Sequence, residues 1–484
     1  MTELEFPGGG PSSGSAAARF PSRHLAPPVV RDLPPAPRSI WPIIGPGVVA
    51  AGVGLASGEF ILYPYIASQV GLVFVWAAFV GLITQFFINM EIERYTLATG
   101  ETALTGFSRF WRHWGLVFAL MAYFANLWPG WATSSATLVT YLVGGEVTPI
   151  AIGMLLSIGV ILTLAPVVYV ALERIEMGKV VAVLLLLVIG LTTAIDAQAW
   201  GDVPQIVTNA AIPSEQLGFA LLMGALAFAG AGGGQNLCQS NWIRDKGFGM
   251  GTYVPRIVSP VTGEPEAAPS TGYVFEPTQR NLAQWRQWWK MANVEQLVTF
   301  VAITFLTILF TSLLAYATVF GRPGLASDIT FIQAEGEALS AAVGGWFGTL
   351  FWVVGAFSLY AAAVGIVDYT SRLGADVLKV GYLRRATESK IYFVLVWGLV
   401  LFGCVILLVG VTQPIVLLVI SAVVGGFMMF IYSGLLAVLN RRVLPEAIRP
   451  GALRVGALVW AVLLFGVLSA LTFDQQIRNL LGAE

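Results

Sequence analysis

Charge is scarce in this chain. Of its 484 residues only 11% are Asp, Glu, Lys or Arg, whereas 57% are hydrophobic and the mean hydropathy is +0.78, far from the composition of a water-soluble domain. With a net charge of -1, a globally basic nucleic-acid binder is excluded, and no nucleic-acid partner is expected. The two cysteines, Cys238 and Cys404, lie in or beside apolar segments, so neither a disulfide framework nor a thiolate metal site follows from them. Both histidines, His24 and His113, fall outside the apolar runs, which removes an imidazole route for protons. There is no Gly-rich loop ending in Gly-Lys-Ser/Thr, no HExxH and no CxxC. ATP-driven transport and a recognised intramembrane hydrolase therefore lack support, and neither an enzyme nor a cofactor is expected.

What the chain has is apolar runs, eleven of them: 43–68, 71–94, 115–143, 149–171, 178–195, 217–241, 294–320, 341–366, 391–411, 413–439 and 452–473. About 20 residues of helix cross the hydrocarbon, so an all-α polytopic protein of the cell membrane with eleven transmembrane helices is predicted. Residues 1–40, rich in Pro, Gly, Ser and Ala, read as a disordered cytoplasmic tail. The remainder divides into 41–200 (spans 1 to 5), 201–440 (spans 6 to 10) and 441–484, with one sizeable connection at 243–292. An inside N-terminus puts 24 of the 26 Lys and Arg on cytoplasmic segments, leaving Arg322 and Arg478 outside with the C-terminus.

Two runs are interrupted. In span 1 the stretch Ala56, Ser57, Gly58 and Glu59 stands where a plain anchor would carry Leu or Val, and Glu59 places a carboxylate inside the run. In span 6, Gly230, Gly232, Gly233 and Gly234 pile up just before Gln235 and Asn236. Close helix packing also uses glycine, yet four glycines in five residues exceed what packing needs. Broken helices opening each five-span half are the sign of an inverted-repeat transporter, with the substrate between the breaks. A 5+5 repeat plus an extra helix 11 is predicted. The substrate-binding candidates are Ala56, Ser57, Gly58, Glu59, Gly230, Gly233, Gln235 and Asn236. Glu59 faces either the site, where it can trade a proton against a cation, or water at the outer mouth.

At these residues the chain resembles the natural-resistance-associated macrophage protein (Nramp) family of proton-coupled divalent-metal transporters, which share the LeuT-type fold. The likeness rests on Gly45-Pro46-Gly47 opening span 1, Thr99-Gly100 after span 2 and Asn236-Leu237 in span 6. The resemblance implies a secondary transporter with Glu59 and Asn236 as metal ligands. The site itself departs from the family. Where members carry Asp-Pro-Gly-Asn, this chain has Ala56, Ser57, Gly58 and Glu59, and the family Met-Pro-His falls on Gly233, Gly234 and Gln235. Without the thioether the reason to expect manganese or iron is gone, and a hard or organic cation suits the remaining oxygens.

Further pathway candidates are Gln85 and Asn89 in span 2, Asn126 in span 3, and Ser358 and Tyr360 in span 8. At the cytoplasmic ends Glu91, Glu93 and Arg94, and the i, i+4 pair Asp368 and Arg372, form either an inner gate or a solvated interface. Within 243–292, VPRIVSPVTGEP reads as a turn or hairpin and LAQWRQWWKM as an amphipathic helix with Trp285, Trp288 and Trp289 at the membrane surface. The function expected is cation transport driven by an ion gradient, with a divalent metal as cargo and protons as the coupling ion. A small organic cation or amino acid is the alternative cargo. A channel and a sensor that binds without transporting are the rivals.

Overall fold

The first apolar run is not one helix. In the computed structural model, which describes residues 15–56, 58–259, 271–322, 328–411 and 414–481, it divides into Pro46–Gly54, a π turn Gly58–Leu62 and Tyr63–Val70. The sixth run divides into Ser214–Ala227 and Gly234–Lys246. Between them Gly230, Gly232 and Gly233 adopt φ values of 128°, 67° and 80°, a region that glycine enters without a Cβ penalty. The third run, expected to be continuous, also breaks, into Trp114–Asn126 and Gly130–Val143. Pro129 is the cause: it has no amide to donate and its ring crowds the preceding turn.

The other runs are unbroken: Trp76–Thr99, Val147–Leu164, Val168–Thr193, Gly345–Gly381, Glu388–Leu408, Pro414–Val443 and Ala452–Leu481. The seventh run belongs to a longer rod, Gln279–Glu295, a π stretch Gln296–Ala302 and Ile303–Val319. Among the described residues eight stretches are long and apolar enough to cross a membrane. Three expected spans fall short of that. The pieces of the third and sixth are each too short, and Gln85, Asn89, Glu91 and Glu93 dilute the hydropathy of Trp76–Thr99. The protein is a multi-pass, all-helical membrane protein.

Spans 1, 2 and 6 lie at the centre. Every residue of Pro46–Gly54 and Gly58–Leu62 is buried, as is all of span 6 from Gly234 to Asp245. The peripheral helices instead expose Val160, Leu185, Val188, Leu401, Val405 and Leu463, a belt matched to lipid tails.

The connections sort onto two faces. On one, Arg94 donates to the carbonyl of Ile448, Arg112 to that of Gly381 and Arg109 to that of Ala26, while Val167 bridges Val258. On the other, the Ala211 amide donates to the Val73 carbonyl and Tyr316 to Asp202. The N-terminal segment lies on the first of these faces.

Residues 15–40 depart from the expected disorder; residues 1–14 lie outside the described residues. Val29–Val30 pairs in parallel with Tyr273–Val274, and Phe20, Leu25 and Leu33 are buried. The Trp helix departs too. Trp285 and Trp288 are each 4% exposed, Trp288 donating to the Pro34 carbonyl at 2.9 Å and stacking near Phe248. Trp288 thus holds the N-terminal segment, while Trp285 packs near Phe275 and stacks on Trp289. Of the expected hairpin, residues 260–270 lie outside the described residues.

Candidate functional site

The two breaks meet through backbone. A methyl group on Gly54 would overlap the carbonyl oxygen of Gly230, and one on Gly58 would overlap that of Phe228. Glycine is required at both places because main chain passes against main chain with no room for a Cβ.

Breaking a helix at mid-membrane strands carbonyls and amides that lipid cannot satisfy, and side chains answer here. Gln85 Nε2 donates to the carbonyls of Leu226, Ala227 and Ala229 at 3.2, 2.8 and 3.2 Å, while its Oε1 accepts the Ala231 amide at 2.8 Å. Asn236 Oδ1 caps the new helix by accepting the Gly233 amide at 2.9 Å, and its Nδ2 donates to Asn89 at 2.7 Å. Tyr432 donates to the Gly233 carbonyl at 3.1 Å. Across the junction, Gln235 donates to the Ala50 carbonyl at 2.6 Å, Ser358 to that of Leu55 at 2.7 Å and Thr311 to that of Glu59 at 2.6 Å.

Glu59 is the exception to this satisfaction. It is fully buried, and among the described residues no side chain donates a hydrogen bond to either carboxylate oxygen. Its Oε1 lies 3.3 Å from where a Gly54 Cβ would stand, so the carboxyl folds back over the break. The outer-mouth alternative, a carboxylate reaching water, does not describe this position. Tyr63, one turn on, is also fully buried, its hydroxyl without a partner among the described residues.

The structure gathers most of the residues singled out in the sequence. Ala56, Gly58, Glu59, Gly230, Gly233, Gln235 and Asn236 lie at the junction, with Gln85, Asn89 and Ser358 bonded to it. Ser57 lies outside the described residues. Asn126 sits apart, bonding Tyr369 and Thr370 at 3.0 and 2.9 Å where span 3 breaks. Tyr360 turns away from the junction to Ser157 on Val147–Leu164, at 2.6 Å. The side chain of Asn236 is spent on capping and on the amide cluster, which leaves it poorly placed as a ligand. Among the described residues no group of three His, Cys, Asp or Glu could hold a metal ion.

Sequence reasoning missed Glu176 and Lys179. Both are fully buried, 3.2 Å apart on Val168–Thr193, and a side chain at Gly52 would meet Glu176 Oε2. Starting the fifth span at 178, where the apolar run begins, assigned Glu176 to a loop and counted Lys179 among the surface cations; their i, i+3 spacing was the available signal.

Toward the N-terminal face lies a buried ionic network. Glu91 pairs with Arg94 at 2.9 Å and Arg454 at 3.3 Å, and Glu93 accepts from Gln239 at 3.1 Å. Arg372 pairs with Asp368 at 2.7 Å and with Asp245, and Arg244 reaches Asp376 and Glu388 at 2.9 and 3.1 Å. Glu91, Glu93, Asp368 and Arg372 are each 0% exposed, so a solvated interface of helix ends does not describe them. Just outside span 2, burial pushes the Glu101 carboxyl up, but the Arg109 guanidinium overrides it and holds the group below the usual carboxylate range.

No protein-family model matches the chain, and no curated protein sequence matches it. Solved structures do. The Eremococcus coleocola manganese transporter, as a mutant and in complex with an aromatic bis-isothiourea substituted compound, superposes with TM-scores of 0.68 and 0.64 at 12% and 13% identity. Both matches cover 94% of this chain, and 91% and 90% of theirs. MhsT in complex with L-phenylalanine aligns more loosely, with a TM-score of 0.48 at 11% identity over 88% of this chain and 97% of that one. The similarity shows the LeuT-type fold.

Proposed function

We propose that this chain is an eleven-span secondary transporter of a small cation or cation-bearing solute, bound where the breaks of spans 1 and 6 meet, with Glu59 as the charged ligand. The observation that carries the reading is a fully buried carboxyl with no side-chain partner among the described residues, held against a backbone junction of two broken helices. An ionisable group placed so deep in a membrane protein serves a substrate or an ion pathway, and paired broken helices are where such folds bind cargo.

A divalent metal, the cargo that the Nramp resemblance implies, finds a thin donor set here. Among the described residues Glu59 is the one carboxylate against the Gly54–Gly230 contact, Glu176 being paired with Lys179, and Asn236 is engaged elsewhere. An organic cation, an amino acid or a monovalent ion fits the junction better. In this reading the face carrying residues 15–40 is cytoplasmic, following the excess of Lys and Arg on its connections. The buried ionic network between the junction and that face is the inner gate, and protons exchanging at Glu59 supply the coupling.

The test is uptake into proteoliposomes of labelled amines, amino acids and metal ions, with and without a pH gradient. Saturable, gradient-dependent uptake lost in Glu59→Gln supports the proposal. Unchanged uptake in that variant removes Glu59 from the site, and binding without uptake makes the protein a sensor.

A further inference from the structure

Where the N-terminal segment reaches the ends of spans 3 and 8, it closes one side of a cavity that carries basic groups and no acid. His24, Arg112 and Arg384 line it together with Thr105, Ser108 and Tyr382, while Leu25, Val377 and Val380 supply an apolar wall. Among the described residues no Asp or Glu lines it. Asp376, which accepts from Thr105 at 3.4 Å, lines a neighbouring cavity and is paired with Arg244 at 2.9 Å.

The basic wall is held in place. Arg109, buried and paired with Glu101, donates to the carbonyls of Pro21 and Ala26, on either side of His24. Arg112 donates to the Gly381 carbonyl at 3.2 Å, and its guanidinium lies 4.9 Å from the centre of the Tyr382 ring. Tyr382 is fixed in turn, its hydroxyl 2.6 Å from His113 Nδ1. Because Ser108 and Thr105 spend their hydroxyl protons on the Leu104 carbonyl and on Asp376, the donors left for a guest are the basic side chains. Arginine has five N–H groups. Arg112 commits one nitrogen, and the Arg384 side chain makes no bond among the described residues.

The cavity also lies at the depth of lipid headgroups. Arg112 stands just before Trp114–Asn126 and Arg384 just after Gly345–Gly381, both at span ends. Their chain neighbours Trp111 and Leu383 are 46% and 47% exposed. Exposed tryptophan beside arginine at a span end is the pattern of the membrane–water boundary. Two arginines facing one cavity repel each other, and an anion between them turns that repulsion into attraction. A basic rim over an apolar wall complements an amphiphile that carries phosphate better than it complements phosphate alone.

We propose that this cavity binds the headgroup of an anionic phospholipid from the leaflet on the N-terminal face, Arg112 and Arg384 holding the phosphate and His24 completing the basic wall. Guanidinium forks suit phosphate oxygens. Bound lipid ties the turn at His24 to the ends of spans 3 and 8. The inference is independent of Glu59 and of the cargo.

The experiment follows the unfolding midpoint of full-length protein in mixed micelles, titrated at fixed pH and ionic strength with phosphatidylglycerol, phosphatidylcholine or inorganic phosphate. Phosphatidylglycerol should raise the midpoint saturably, and the other two should not. Arg112→Gln with Arg384→Gln should weaken the phosphatidylglycerol response by about tenfold or more in concentration, and Arg384→Gln alone by about fivefold. Arg441→Gln with Arg442→Gln is the control, since it removes two exposed charges from the end of span 10. It should leave the response unchanged. Trypsin gives a second reading: cleavage after the exposed Arg23, next to His24, should slow when phosphatidylglycerol is present.

An equal response to phosphatidylcholine overturns the inference, as does a response to inorganic phosphate, which marks a free-anion site. Equal weakening in the control pair overturns it too, because positive charge at any span end would then suffice. Cleavage after Arg23 that ignores the lipid overturns it as well, since the N-terminal segment would be no wall of the site. Should the variant carrying Arg112→Gln not fold, Arg384→Gln decides alone: an unchanged response sinks the site and a weakened one supports it.

Discussion

Gly54 rests directly against the carbonyl oxygen of Gly230, and no side chain fits between them. Gly54→Ala is therefore expected to destabilise the protein by about 1–3 kcal/mol through overpacking, read as a lower unfolding midpoint in detergent, and to abolish any transport. Gly153, on a lipid-facing helix with nothing near its Cβ position, is the control. Gly153→Ala should be neutral or stabilising by about 0.5–1 kcal/mol.

Gln85 holds the second break together from outside it, its amide nitrogen shared among three carbonyls and its oxygen accepting from the Ala231 amide and Asn236 Nδ2. Gln85→Leu keeps most of the volume and removes every partner. Each buried group left unpaired costs about 1–3 kcal/mol, so this variant should lose more stability than Thr311→Val, which removes a single donor to the Glu59 carbonyl. Equal losses in the two variants would mean that the break does not depend on Gln85.

Arg372 is buried between Asp368 and Asp245. Removing one partner of such a pair leaves an unanswered buried charge, and Arg372→Met is expected to cost about 3–5 kcal/mol by chemical or thermal unfolding. Arg478 makes a comparable contact with Asp474 at 2.8 Å, but on the surface. Arg478→Met should leave stability unchanged.

Two carboxyls outside the spans give opposite pH dependences. Glu335, on the connecting helix Phe331–Val343, is pushed up from 4.5 to about 8 by burial. The folded protein holds that proton more tightly than the unfolded chain, so stability falls as pH rises from the ordinary carboxylate value through about 8. Glu335→Gln should flatten the alkaline side of the profile. Glu101 is held low by Arg109 despite its burial. Its contribution is present above the ordinary carboxylate range and is lost as pH falls through its lowered value. Glu101→Gln should flatten the acid side.

Both breaks of the site were legible in the sequence because glycine clusters and a carboxylate violate the apolar pattern where they occur. Their meeting was inferred from spacing in the two halves, and the backbone contact of Gly54 with Gly230 is its physical form. Lys179 and Glu176 were not legible: a hydropathy boundary sees charges at the edge of a run as loop, and only tertiary packing reveals that Val168–Thr193 starts earlier. The break of span 3 was written in Pro129, yet proline within a membrane helix is often tolerated. The ordering of residues 15–40 had no local signal, since Phe20, Leu25 and Leu33 are too far apart to form a periodic face.

The rod Gln279–Val319 touches the first span twice. Near its middle Glu295 accepts the amides of Gly45 and Gly47 at 3.2 and 2.9 Å, and further on Thr311 donates to the Glu59 carbonyl. The same rod grips the N-terminal segment, with Asn281 accepting the Leu33 amide and Gln284 that of Ala36. Any tilt of this one helix relative to its neighbours must change the spacing of both halves of span 1 and pull on residues 33–36 together. A spectroscopic label near Ala36 would then register, at the water boundary, events that take place at the depth of Glu59.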